Sequence, residues 1–224
     1  HHLERFELET DLGELDNPAL DLQIYQSNPQ AKKLLQQVLG KQAKNLITQF
    51  ETDVERLVYV VHYNRAEIEV SLDRGEIRYD DQTLAIYEIE FELKQGSIQD
   101  LIKFIQPWVK QYHLWLDVRS KAQRGDLLAQ DLKIAPAQFA SPLQLKQKDS
   151  TDCALKQIVN NVLQHFLPNA TAIAAEQYNS EHVHQTRVAI RRLRSALRIF
   201  GDWSTDADPE WQKQLRTWFR QLGS

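Results

Sequence analysis

The chain has 224 residues, 42% of them apolar and 26% charged, with a formal net charge of −4 and one cysteine. That length supports one large domain or two small ones with a real core, and the charge content suits a soluble protein. No apolar run approaches the roughly 18 residues of a membrane span. No basic-then-apolar leader opens the chain. The single Cys153 excludes an internal disulfide framework and a cysteine-based zinc site. These features fit a cytoplasmic protein with no membrane partner. The average charge hides an asymmetry, since residues 1–130 carry 15 Lys/Arg against 22 Asp/Glu and residues 131–224 carry 12 against 9. A change of sign along the chain suggests two parts with different partners.

In chain order, ERFELET (residues 4–10) alternates polar and apolar residues and reads as a strand end. A helix is predicted from about Pro29 to Leu39, stopped at Gly40. Three strand-like runs follow, ERLVYVVHY, AEIEVSLD and LAIYEIEFELK, with NRAE and DRGE as turns. Runs so close in sequence favour an antiparallel meander. The stretch from Ser97 to His113 has apolar residues at helical spacing behind a Ser97 cap. LWLDVRSKAQRGDLL is read as one more strand and a basic turn. The proline-containing segment after it, residues 129–149, reads as a linker. Only helices follow: one from a Thr or Asp cap near residue 151, with Cys153 as a small core residue; the arginine-rich segment; and a last helix capped by Asp208.

Strand alternation puts Glu88, Glu90 and Glu92 on one side of their strand, opposite Ile89, Phe91 and Leu93, and Glu67, Glu69 and Asp73 repeat the pattern. Rows of carboxylates repel unless water, lysines or a divalent cation offsets them. A solvated sheet face is one reading, and a magnesium-, manganese- or calcium-binding face is the other. Arg56 opens the first strand run, and Arg119, Lys121 and Arg124 follow the last. Acids and bases facing one interior would bind a metal on one side and an anion on the other, as phosphoryl transfer requires.

The ordered set RFELE, ERLVYVVHY, IEVSLDRGEI, EIEFELKQG and SKAQRG resembles the second half of a CYTH domain, the triphosphate tunnel metalloenzyme family, over residues 1–128. The resemblance implies an α+β protein with an antiparallel β-barrel or tunnel, here incomplete, that hydrolyses tripolyphosphate or another triphosphate with Mg2+ or Mn2+. It implies catalytic roles for Glu7, Asp73 and Lys121, metal binding by Glu88, Glu90 and Glu92, and phosphate contacts from Arg56, Lys121 and Arg124; Arg5 and Glu9 are weaker candidates. The first-strand Glu-x-Glu-x-Lys signature of that family is absent, and Val58 stands where relatives often have a second basic residue. The chain therefore reads as part of a longer parent enzyme, with unprotected strand edges that invite self-association.

From His182 to Phe200 there are five arginines in nineteen residues and no acid between Glu181 and Asp202. At about 100° per residue, His184, Arg187, Arg191, Arg194 and Arg198 share an arc of roughly 80°, with Arg192 off that face. Ala189, Ile190, Leu193, Ala196, Leu197 and Phe200 lie nearly opposite. A solvated helix would mix signs, whereas an all-arginine face matches phosphate oxygens at any physiological pH. Without interleaved aromatics it offers nucleic acid no stacking platform. Its small aliphatic back suits a bundle better than a membrane. VHQTRVAIRRLRSALRIF resembles the signature helix of a CHAD domain, the conserved-histidine α-helical family, over about residues 150–224. The resemblance implies a helical bundle, here incomplete, that binds long-chain polyphosphate through His184, Arg187, Arg191, Arg194 and Arg198. The expected function is a metal-dependent inorganic triphosphatase joined to a polyphosphate-binding module. The alternative is a non-catalytic polyphosphate binder with a degenerate tunnel.

Overall fold

The computed structural model describes residue 13 and residues 22–25, 27–40, 47–201, 207–208 and 210–223. The strand end read at residues 4–10, with Arg5, Glu7 and Glu9, lies outside them. The chain divides into two compact units, His1–Thr48 and Gln49–Ser224. In the first, a 3-10 turn (Leu22–Tyr25) precedes α1 (Pro29–Leu39). The Asn28 side chain accepts from Gln30 N and Ala31 N at 3.0 Å, which caps α1, and Gly40 ends it in the left-handed region at φ 51°.

The second unit opens with a three-stranded antiparallel sheet, β1 (Glu51–Tyr63), β2 (Ala66–Tyr79) and β3 (Gln82–Gln95), in the order β1-β2-β3. Among the described residues this sheet is open rather than closed into a barrel. The first hairpin turns at Asn64 and Arg65, with Asn64 at φ 54°, a conformation asparagine tolerates well. The expected turn at DRGE is not one. Asp73–Glu76 lies inside β2, and the chain reverses at Asp80 and Asp81. Gly75 marks a close approach instead: a Cβ there would lie 2.0 Å from the Asp53 carbonyl oxygen, so only glycine lets β1 pass.

Each sheet face has its own helix. On one face, α2 (Ile98–Tyr112), capped by Ser97 as the sequence predicts, packs Leu101, Phe104 and Ile105 onto Ala66, Ile68, Val70, Phe91 and Leu93. Apolar alternation in three adjacent strands drives this layer. Over the other face lies α3 (Lys121–Ala129), where the sequence reading expects a basic turn. The reason for the helix is a capping box: Gln123 N donates to Ser120 Oγ at 3.1 Å, and Ser120 N donates to Gln123 Oε1 at 3.0 Å. Gly125 then fits against Phe50, whose ring carbon would lie 2.3 Å from an added Cβ. Residues 114–120 pair with no strand among the described residues.

Three helices complete the unit: α4 (Thr151–Ala174), α5 (Ser180–Phe200) and α6 (Glu210–Gln221). Ser150, not Thr or Asp, caps α4, and Cys153 is exposed in its first turn rather than in a core. α5 begins in an Asn179–His182 capping box. The apolar back of α5 is buried as expected: Ile190 and Leu197 pack with Leu215 of α6 and Phe166 of α4. No helix among the described residues is long and apolar enough to cross a membrane.

Candidate functional site

The sheet register builds the first site. Arg56 of β1 lies beside Asp73 of β2, which lies beside Glu88 of β3; one step along, Ser71 pairs with Glu90, and then Glu69 with Glu92. All these side chains share the face covered by α3. Asp73 is the buried centre, with a fully inaccessible side chain. Arg56 donates from Nε and Nη2 to the two Asp73 oxygens at 2.7 and 2.6 Å, and from Nη2 to Glu90 at 3.0 Å. Such a two-pronged contact is the strong form of the arginine–carboxylate pair. From α3, Lys121 Nζ reaches Asp73 Oδ2 at 2.6 Å and Glu90 Oε1 at 2.8 Å, and it also pairs with Glu88. Arg124 Nη2 closes on Glu88, while its Nε is buried with no hydrogen-bond partner.

Burial pushes the Asp73 carboxyl up, but hydrogen bonds from Arg56 and Lys121, with their charges, outweigh it and hold the group below the usual carboxylate range. Burial likewise pushes the Lys121 ammonium down, and its bonds to Asp73, Glu88 and Glu90 more than restore it, so it sits above the ordinary lysine value. Both groups are therefore permanently charged near neutral pH.

Of the expected tunnel residues, the structure brings together Arg56, Asp73, Glu88, Glu90, Lys121 and Arg124. Glu92 stands apart on the same face, bridged at 2.9 Å to Lys94, which also holds Glu69 at 3.2 Å. Glu7 lies outside the described residues. Asp73, Glu88 and Glu90 each offer an oxygen, and these lie within 4.8 Å of one another. Three hard, anionic oxygen donors on one side suit Mg2+ or Mn2+, which keep several waters and take only a few carboxylates.

The second site lies on α5. His184, Arg191 and Arg198 are exposed on the predicted face, and Arg194 is partly buried there with its Nε lacking any partner. Arg191, Arg194 and Arg198 line a cavity of about 630 Å³ with Arg216 of α6. Asp208 also lines the cavity, but none of the four arginines has a carboxylate in ion-pair range among the described residues, so a net positive charge faces an anion there. Arg216 escaped the sequence reading. Whether a position on α6 faces α5 depends on helix docking, which the pattern of α6 alone does not reveal. Arg187 is held differently from its neighbours: its guanidinium stacks 4.6 Å over Phe219 and donates to the Leu222 carbonyl at 3.3 Å. With His184 and Arg191 it borders a smaller cavity of about 330 Å³.

Arg192, off the basic face, turns inward. It donates to Asn161 Oδ1 at 2.5 Å and to His165 Nδ1 at 3.3 Å. Because arginine only donates, His165 is the tautomer that donates from Nε2 to Gln185 Oε1 at 2.8 Å, and Gln185 in turn donates to Glu181 at 2.7 Å. Burial, aided by the charge of Arg192 and opposed by the Gln185 hydrogen bond, pushes the His165 ring below the ordinary histidine value. The ring is thus neutral, and this polar string fixes α5 against α4. The amphipathic pattern of α4 gave no sign that Asn161 and His165 would be buried.

A family model described as CHAD domain matches residues 157–224, which include α5 and α6. An inorganic triphosphatase from Haemophilus influenzae is 39% identical over 79 residues, which are 35% of this chain and 22% of that protein. The chain thus matches about a fifth of the length of that relative.

Proposed function

We propose that this protein handles condensed phosphate at two surfaces: metal-assisted hydrolysis of a triphosphate, tripolyphosphate foremost, on the sheet face, and binding of long-chain polyphosphate along α5 and α6. The observation that carries the reading is the meeting of an acidic triad, Asp73, Glu88 and Glu90, with three cations, Arg56, Lys121 and Arg124, on one face. The similarity to an inorganic triphosphatase supports the same substrate class, and the CHAD match together with arginines that form no ion pair among the described residues supports the polyphosphate surface.

In this reading Asp73, Glu88 and Glu90 hold Mg2+ or Mn2+, which when bound would neutralise charge on the phosphoryl oxygens and position the substrate. Arg56, Lys121 and Arg124 grip phosphate oxygens and steady the charge that shifts to the leaving diphosphate. Asp73, held below the usual carboxylate range, stays an anion and is a poor proton acceptor. Water attacks the terminal phosphorus, the bridging P–O bond breaks, and phosphate and diphosphate leave. Phosphate release from tripolyphosphate with Mg2+ or Mn2+ tests the assignment. Glu88→Ala is expected to lower it by at least about a hundredfold, and equal rates would sink the assignment.

A second reading, polyphosphate binding without catalysis, is favoured by one contrast. The sheet-face cations are all paired with carboxylates, whereas those of the α5–α6 cavity form no such pair among the described residues. No metal-dependent phosphate release, with polyphosphate binding retained, would select it.

A further inference from the structure

Lys121 occupies the place where a cation bridging the triad would sit. Its single ammonium contacts one oxygen from each of Asp73, Glu88 and Glu90, and those three residues are the ones whose oxygens converge within 4.8 Å. Its side chain is 19% accessible, so water does little to replace these contacts. Arg56 holds both oxygens of Asp73, sharing Oδ2 with Lys121, and the outer oxygen of Glu90, and Arg124 holds that of Glu88; among the described residues Lys121 is the one cation that contacts all three acids.

Resting on the metal reading above, we infer that Lys121 is an internal counter-ion that a divalent metal displaces, so that metal binding itself releases the lysine for the triphosphate. Charge and space both require the exchange. An ammonium and a divalent ion a few ångströms apart on shared carboxylates repel strongly in a partly buried site. The contacts that define the lysine's position are also the ones a metal needs. Once displaced, Lys121 has lost its carboxylates but still projects from α3 beside the triad, where an incoming phosphate is its natural partner. Metal and triphosphate binding are then coupled: the metal adds two positive charges to a triad already balanced by three cations, and the surplus favours the polyanion. Residue Lys94 provides an internal comparison, since it bridges Glu69 and Glu92 on the same face and touches none of the triad.

The test uses the 224-residue chain in phosphate-free buffer, with Mn2+ as probe followed by electron paramagnetic resonance. Lys121→Met is expected to bind Mn2+ on the order of tenfold more tightly than the native chain, while Lys94→Met changes affinity by less than about twofold. A second measurement needs no variant: Lys121 acetylation by acetic anhydride, read by peptide mass spectrometry, is expected to speed up when Mn2+ saturates the native chain. Equal Mn2+ affinity in native and Lys121→Met chains, or Lys121 acetylation unchanged by Mn2+, overturns the displacement and leaves the metal site standing. Absence of Mn2+ binding in both chains overturns the metal reading and the displacement with it.

Discussion

Replacing Asp73 with asparagine keeps the shape of the side chain and removes the charge on which the sheet-face network converges. The native carboxylate accepts three charge-assisted contacts, two from Arg56 at 2.7 and 2.6 Å and one from Lys121 at 2.6 Å. Removing one partner of a fully buried pair costs about 3–5 kcal/mol. Here the loss is smaller for two reasons. Arg56 is 40% exposed, so solvent screens it, and both cations keep Glu90, at 3.0 Å from Arg56 and 2.8 Å from Lys121. We therefore expect Asp73→Asn to lose about 2–3 kcal/mol, which lowers the urea midpoint by roughly 1 M with an unchanged slope. The pH dependence provides a second handle. Because the folded carboxyl lies below its unfolded value of 3.8, its stabilisation is fully present above that value and is lost as pH falls through the folded value. The gap between native and variant proteins should therefore be constant near neutrality and close below about pH 4. Glu92→Gln, on an exposed acid of the same face, should stay within about 0.5 kcal/mol of native. A loss under about 0.5 kcal/mol for Asp73→Asn would refute the reasoning, because it would mean that the buried network adds no more than surface pairs do.

Two further outcomes test the helical part. His165→Ala removes a buried ring and leaves Arg192 and Gln185 short of partners, so thermal denaturation should show a loss of about 3 kcal/mol. Since the folded ring titrates below its ordinary value of 6.5, the unfolded chain takes up the proton first, and native stability should fall as pH drops below 6.5, a slope that His165→Gln abolishes. On the proposed polyphosphate surface, Arg198→Ala and Arg216→Ala should each weaken filter binding of long-chain polyphosphate and flatten its salt dependence, by an amount comparable for the two residues; an Arg216→Ala chain that binds as natively would remove α6 from the surface.

What the sequence discloses follows the range of the interaction that fixes each residue. α5 was legible almost entirely, because its basic arc and apolar back are properties of one helix and need no partner to be seen. The acidic rows of β2 and β3 were legible for the same reason, since alternation alone assigns their faces. Register was not, so Glu92 looked equivalent to Glu88 and Glu90 until pairing put it beside Lys94 and Glu69. The α3 helix was missed although its start was written in the chain as Ser120 followed three residues later by Gln123. The inward turn of Arg192 and the arrival of Arg216 at the α5 cavity depend on helix-to-helix docking, and no single-helix pattern carries that information.

Docking also explains why the two surfaces are built as one unit. Thr171, near the end of α4, donates its hydroxyl to the Leu116 carbonyl at 3.0 Å, and Arg119 reaches Gln177 just beyond α4 at 2.6 Å while its other nitrogens chelate Asp117. The segment pinned by these contacts runs directly into Ser120, the cap of α3, so the end of α4 sets where Lys121 begins its approach to the acidic triad. The same helix α4 holds α5 through Asn161 and His165. The two surfaces nonetheless differ in electrostatic reach. On the sheet face the cations sit against carboxylates, and such pairs cast little field beyond a Debye length of about 8 Å at physiological ionic strength. Among the described residues the four arginines of the α5–α6 cavity form no carboxylate pair and outnumber the one acid of its lining, Asp208, and such an excess of positive charge draws a polyanion from solution. Under the proposed function, condensed phosphate would be drawn first to α5, and the sheet face, neutralised from within, would engage it only after a metal had broken its internal pairing.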